Sequence, residues 1–441
     1  MYFADELSSL VSNVFDEPVR FISRHVLKTV KAVKEMKGNA WVMIWTTFFW
    51  TIPSAWIGVY ATIYMNDLGV SPQDIGNIGS LSLLMQLLTI IWGGYLSDRV
   101  GRKKLLIISD IVTWIPSMAL LIFAQNVWYF VASVIIRSFG MLANPAWKCL
   151  CIEDTKPEQR GRVFSLMAIT GSISGLSAPL GGFFVKWFGL ITACRIMYSI
   201  LFFTVCAGIY VRWLTLKDSP VSSRLAQEAK RAKGIDFKKY YLDILKTIWN
   251  NANFRWFMIL QVLTTFTFTM WNTFYPVFLA DKHRGLGLNK SDISIIPFIT
   301  SIVFLSSTMI SISALKPKHY RKSLLMLSAL PVFGAALFVL TPSGTIVFVL
   351  VSFVINNIWG SFWGPIAESY SLSIMSEKAR ARILSVYITI QLALVAPAGM
   401  IAGKLYTTAP KLLFLVILCL TLLMYTVVYF KFKPGKFAVS G

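Results

Sequence analysis

Among the charged residues within or at the ends of long apolar runs, Asp110, Arg137, Lys148 and Glu368 are the candidates for chemistry. A cation centred in hydrocarbon costs roughly 2.5–3.5 kcal/mol on insertion scales, so it needs an ionic partner, a polar shell or a wet cavity. Arg137 is the most informative of them. Its guanidinium can hold an anionic or hydrogen-bonding solute, or backbone carbonyls can satisfy it where two helices pack. Lys148 and Glu368 lie 220 residues apart, near the inner ends of two runs, and suit an ion-paired gate. Equally, Lys148 can pair with Asp110, which sits at similar depth on a neighbouring run. A proton-carrying carboxylate would be Asp110 or Glu368, because the first and seventh runs hold no acid.

Around these charges the amides Gln86, Asn144, Gln261, Asn272, Asn356, Asn357 and Gln391 are candidate lining, with Trp50, Trp56, Trp271, Trp359 and Trp363. Amides among aromatic rings suit a sugar, a nucleoside or an amphipathic drug equally. Several of these tryptophans read as well as interfacial anchors. This is binding chemistry, not catalysis. There is no phosphate loop or metal-ligand cluster, and His25, His283 and His319 all lie at or beyond the borders of the runs. No enzyme activity, cofactor or metal is expected. Cys149, Cys151, Cys194, Cys206 and Cys419 fall in apolar runs and read as small packing residues.

The elements that must position these groups follow from composition. Of 441 residues 56% are hydrophobic and 14% charged, against about 45–50% apolar and about 25% charged in soluble domains. Runs of membrane length occur at about 41–64, 75–96, 105–124, 127–151, 163–184, 191–213, 255–279, 292–314, 323–341, 345–367, 383–405 and 411–431. With the N-terminus inside, 33 of the 42 Lys and Arg residues fall on the inner side and seven on the outer. That bias predicts both termini in the cytoplasm. It also gives the net charge of +22 a membrane explanation, so no nucleic-acid partner is expected. No cleavable signal is apparent, since the first long run starts at Trp41.

The second and third runs are joined by Gly93-Gly94-Tyr95-Leu96-Ser97-Asp98-Arg99-Val100-Gly101-Arg102-Lys103-Lys104, expected as a tight polar turn. Gly94 lets two helices approach closely. Asp98 can face a helix N-terminus, and Gly101 permits a backbone that other residues resist. This pattern resembles the signature loop between helices two and three of the major facilitator superfamily. The resemblance implies twelve transmembrane helices in two pseudo-symmetric six-helix bundles that move a small solute by alternating access. It further implies a cytoplasmic charge network of Asp98 and Arg102 with Glu153 or Asp154, beside Arg99 and Arg160. The equivalent turn of the second half, Lys316 to Lys322, keeps the positive charge but lacks the acid and both glycines. Arg137-Ser138-Phe139-Gly140 loosely resembles the family's second motif, which implies substrate or proton handling. Gly171, Gly175, Pro179, Gly181 and Gly182 make a small-residue stripe for close helix packing. The stripe resembles the family's antiporter motif, with a Pro-to-Gly-Gly spacing one residue short.

An internal repeat supports two halves. Leu68 to Ile75 returns as Leu286 to Ile293 and Ala178-Pro179-Leu180-Gly181 as Ala396-Pro397-Ala398-Gly399, both at an offset of 218, while Pro145, Arg160, Arg162 and Ser165 return at 220. The expected layout is a basic amphipathic segment at 1–40, bundles at 41–216 and 254–432, a cytoplasmic linker at 217–253 and a tail at 433–441. The whole reads as a monomeric secondary transporter of a small organic solute in the plasma membrane. Proton coupling, uncoupled facilitation and drug or metabolite export all remain open. A non-transporting sensor or scaffold is the rival of another class.

Overall fold

The computed structural model describes residues 38–152, 155, 160–217, 252–314, 320–373 and 380–431, and among them there is no strand. The basic segment at 1–37, the linker from 218 to 251, the second-half turn at 315–319 and the tail lie outside the described residues. The first helix set comprises α1 (Asn39–Gly58), α2 (Ala61–Asp67), α3 (Pro72–Val100), α4 (Arg102–Ile122), α5 (Val127–Ser138), α6 (Asn144–Ile152), α7 (Arg160–Gly175), α8 (Pro179–Phe188) and α9 (Leu190–Thr215). The second comprises α10 (Ala252–Ala280), α11 (Ile295–Ala314), α12 (Tyr320–Val339), α13 (Val347–Ser373), α14 (Arg380–Val395), α15 (Ala398–Thr408) and α16 (Pro410–Lys431).

Local chemistry sets the boundaries. Ser71 Oγ accepts the Asp74 N–H at 3.1 Å, Pro72 takes the first helical position and Asp74 sits in the positive first turn of α3. Asn126 caps α5 by accepting the Trp128 N–H at 3.1 Å. The chain bends by 49° between α1 and α2, just after Gly58. A break before Pro179 separates α7 from α8, and Pro397 separates α14 from α15. Proline cannot donate to the preceding turn, so both repeats break at the same place. One expectation is corrected. Residues 93–100 continue α3, and the turn contracts to Gly101, whose φ of 92° reverses the chain without a loop.

The same neighbours recur in each set. Helix α9 packs on α1 and α4 as α16 packs on α10 and α12, and α1 meets α7 as α10 meets α14. Aromatic rings fill both centres. Tyr64 meets Phe130 and Tyr198 at 5.7 and 6.0 Å, and Phe338 meets Trp271 and Phe414 at 4.5 and 4.8 Å.

The outside of the bundle is apolar. Trp128, Phe203 and Leu340 are 72%, 69% and 75% exposed, which water does not tolerate across a whole girdle. Among the described residues six helical stretches are long and apolar enough to span a bilayer, or seven with the bent α1–α2 pair. Among the other expected runs, α3 and α7 are richer in Gly and Ser. This is a multi-pass membrane protein.

Asn39 and Lys217 exchange two hydrogen bonds of 2.8 and 2.9 Å where the first set begins and ends. Calling that the near end, the two sets are joined toward the far end. There α3 lies against α15, with Gly76 on the Gly399 carbonyl, and Ser80 Oγ accepts the Met400 N–H at 2.8 Å. A Cβ on Gly403 would stand 3.0 Å from the Pro72 carbonyl. The Tyr60 hydroxyl donates to the Lys290 carbonyl at 2.9 Å, and Lys290 Nζ donates to Asp67 Oδ1 at 2.8 Å.

Candidate functional site

A cavity of about 500 Å3 lies within the first helix set, walled by α1, α3, α4, α5, the turn at 139–143, α6 and α9. Helix α4 supplies Asp110 and, one turn on, Trp114. Helix α9 supplies Arg212, α5 supplies Arg137, and α1 supplies Trp50 with Thr47, Thr51 and Ser54.

Arg212 is buried and bonded through Nη1 and Nε. Its Nη1 donates to Asp110 Oδ2 at 3.1 Å, its Nε donates to Thr46 Oγ1 at 2.9 Å, and its guanidinium carbon lies 3.9 Å from the centre of the Trp50 ring. Arg137 sits over the Trp114 ring at 3.2 Å. Trp50 and Trp114 meet edge to face at 6.2 Å, so two guanidiniums are carried on one pair of indoles. Gly140 leaves the room that Arg137 fills, since a Cβ there would stand 3.1 Å from Nη1. A partly paired cavity with a polar lining is one way intramembrane charge is tolerated.

The structure brings together Asp110, Arg137, Gln86, Asn144 and Trp50 from the sequence candidates. Gln86 donates to Ser82 Oγ at 3.0 Å. Lys148 is not among them. It is exposed on α6 and makes no ion pair with Asp110, whose carboxylate is taken by Arg212. Arg212 is the residue that sequence reasoning missed. It lies one residue from the end of the 191–213 run, where its position reads as that of an inner-surface cation.

The candidates of the second set do not line this cavity. Asn272, Asn356 and Asn357 each donate to a carbonyl one turn back in their own helix, at 2.9, 3.0 and 2.9 Å. Trp359 and Trp363 stack on each other at 5.7 Å, Trp363 being in a buried cluster. Gln261 has a buried Oε1 without a hydrogen-bond partner among the described residues, and Gln391 donates to Thr265 at 2.6 Å. Trp271 belongs to the aromatic core, and Trp56 donates to Ser177 at 2.8 Å.

In the small-residue stripe Gly175 faces Ser301, Gly181 the Trp56 backbone, and Gly182 the Ser291 carbonyl. Pro179 opens α8. A Cβ on Gly171 would meet nothing within 4 Å among the described residues. In the signature stretch Arg102 is buried at the start of α4. Gly94, Asp98, Arg99, Arg160 and Glu368 are helical in backbone, but their side chains are outside those described, and Glu153 and Asp154 lie outside the described residues altogether.

Two helix sets of like packing, girdled by apolar side chains and joined toward the far end among the described residues, define a multi-pass membrane protein with a charged internal cavity. Residues 40–400 match the Major Facilitator Superfamily, and the chain belongs to that family. Its members are transporters, not enzymes. The chain is similar to the uncharacterized MFS-type transporter YqjV of Bacillus subtilis, with 26% identity over 57% of this chain and 59% of that one. It is similar to the multidrug resistance protein MdtH of Cronobacter sakazakii, with 26% identity over 34% of this chain and 37% of that one. The chain thus spans under two thirds of the length of these relatives. In fold it is similar to a mutant form of the nucleoside transporter NupG, with a TM-score of 0.70 at 15% identity, covering 90% of this chain and all of that one.

Proposed function

We propose that this protein is a secondary transporter that moves a small organic solute by alternating access. In this reading twelve spans form two six-helix halves, 41–216 and 254–432, with both termini cytoplasmic and the far end facing outward. The halves rock against each other, turning the first-set cavity of Asp110, Arg137 and Arg212 toward either side. The observation that carries it is the far-end junction. The sets close on each other through Gly76–Gly399, Tyr60–Lys290 and Asp67–Lys290, beside a cavity holding three ionisable groups. A transporter needs such a joint to open and reclose. The charge network of Asp98, Arg102 and Glu153 or Asp154 supplies the reciprocal clasp at the near end.

Asp110 is the one acid among the described cavity-lining residues, so a coupled proton is assigned to it. Kinship with a multidrug resistance protein supports drug or metabolite export as the alternative direction.

The test uses purified protein in liposomes, with a cysteine at cavity residue 54 (Ser54→Cys) in a variant whose five native cysteines are replaced. An impermeant maleimide should reach that cysteine from either face, at rates that shift when a transported solute is added. Labelling from one face under every condition, with no solute flux across a broad panel, would instead favour a sensor or scaffold.

A further inference from the structure

The charges of the cavity do not cancel. Among its described lining residues Asp110 faces two bases, Arg137 and Arg212. Arg212 is already matched by Asp110 and Thr46. Arg137 makes no ion pair among the described residues, and its partner is the Trp114 ring. A π face attracts a guanidinium without neutralising it, and it leaves the planar edge with its N–H donors available. That edge matches a carboxylate in a two-pronged contact. Beside it stand the apolar faces of Trp114, Trp147 and Met141, with Ser82 and Asn144 as secondary hydrogen-bonding groups. The volume of about 500 Å3 lies in the ordinary range for small-molecule sites.

We infer that the cavity takes a small organic monoanion, its carboxylate on the edge of Arg137 and its planar body against the tryptophans. A cation meets an uncompensated positive charge there. A dianion lacks a second base, because Arg212 is held by Asp110. The inference rests on the transporter reading for movement of the ligand, but not for its binding.

The experiment is calorimetric titration of the purified full chain with three probes of one shape: 2-naphthoate, 2-naphthamide and 2-naphthylmethylammonium. Naphthoate should bind roughly tenfold to a hundredfold tighter than the other two, as a charge-assisted hydrogen bond allows. Arg137→Gln should erase the preference. Arg137→Lys should keep part of it, having the charge but not the planar fork, and so controls for folding. Equal binding of the amide or the ammonium, a preference retained in Arg137→Gln, or no binding of any probe to the unaltered protein overturns the inference. Naphthoate binding without flux of any bound anion in liposomes would leave the inference standing and remove the transporter reading. Solute flux without anion preference would do the reverse.

Discussion

Lys290 reaches across the far end of the bundle to Asp67, its Nζ 2.8 Å from Oδ1, and its own carbonyl accepts from Tyr60. Both side chains of the ion pair are partly exposed, at 36% and 25%. Such a pair contributes about 0–1 kcal/mol and is screened by salt. It therefore biases the far-end contact without locking it, as the proposed alternating-access cycle requires.

Asp67→Asn should raise far-side labelling of a cysteine at position 54 by up to about fivefold at low salt. Raising the salt on the unaltered chain should mimic the change. The double reversal, Asp67→Lys with Lys290→Asp, should return labelling to its starting rate. Single variants indistinguishable from the parent would show that the pair does not hold this end.

The glycines of the same junction act through space rather than charge. A Cβ on Gly76 would run into the Gly399 carbonyl, and one on Gly399 would stand 2.6 Å from the Gly76 carbonyl. Backbone cannot swing aside as a side chain can, so the helices must part. Gly76→Ala should disfavour the closed far end by about 1–3 kcal/mol, an ordinary cost of overpacking. Gly171→Ala, on a residue with open space around it, is the matched control. Comparing far-side labelling of the two variants checks this, and equal rates would refute a state-specific contact.

Inside the cavity, the Asp110–Arg212 pair is buried, with side chains 10% and 5% exposed. Removing one partner strands the other in a poor solvent. Asp110→Asn should lower stability by about 3–5 kcal/mol. The double variant Asp110→Asn with Arg212→Gln should lose less than the sum, because no charge is then left unpaired. Thermal melting of the purified variants measures the coupling directly, and strict additivity would mean that the two groups do not depend on each other.

Much of this site was legible, for identifiable reasons. Arg137 stands out because a cation amid Val134, Ile135 and Ile136 has no surface explanation. Gly101 stands out because a turn between two apolar runs needs a residue free to adopt positive φ. The partner of Asp110 was not legible. Arg212 is 102 residues away on another helix, and sequence fixes depth in the bilayer only to about a turn. Lys148, at comparable depth, was therefore an equal candidate until packing turned it outward. The bonding of the second-set amides was not legible for a related reason. Composition shows that Asn356 and Asn357 lie in an apolar helix, but not that their protons go to carbonyls one turn back. The 218-residue repeat was readable because each half breaks at the same proline, Pro179 and Pro397. The near-end clasp has no such internal check.

That clasp yields the last prediction. Lys148 is exposed on α6, and among the described residues it has no ion-pair partner. Glu368 occupies the equivalent turn of α13, 220 residues on. With the far end closed, rocking of two rigid halves separates their near ends, so a Lys148–Glu368 pair would form only in the opposite state. Its effect is then on the balance between states, not on the stability of the far-end-closed form. Lys148→Glu should speed near-side labelling of a cysteine at position 54 about two- to fivefold, the scale of a partly solvated pair. Adding Glu368→Lys should restore the parental rate and leave the melting temperature in the far-end-closed form unchanged. If the double reversal labels as fast as the single one, Lys148 is a solvated surface cation and the near-end gate must be built from the Asp98 and Arg102 network alone.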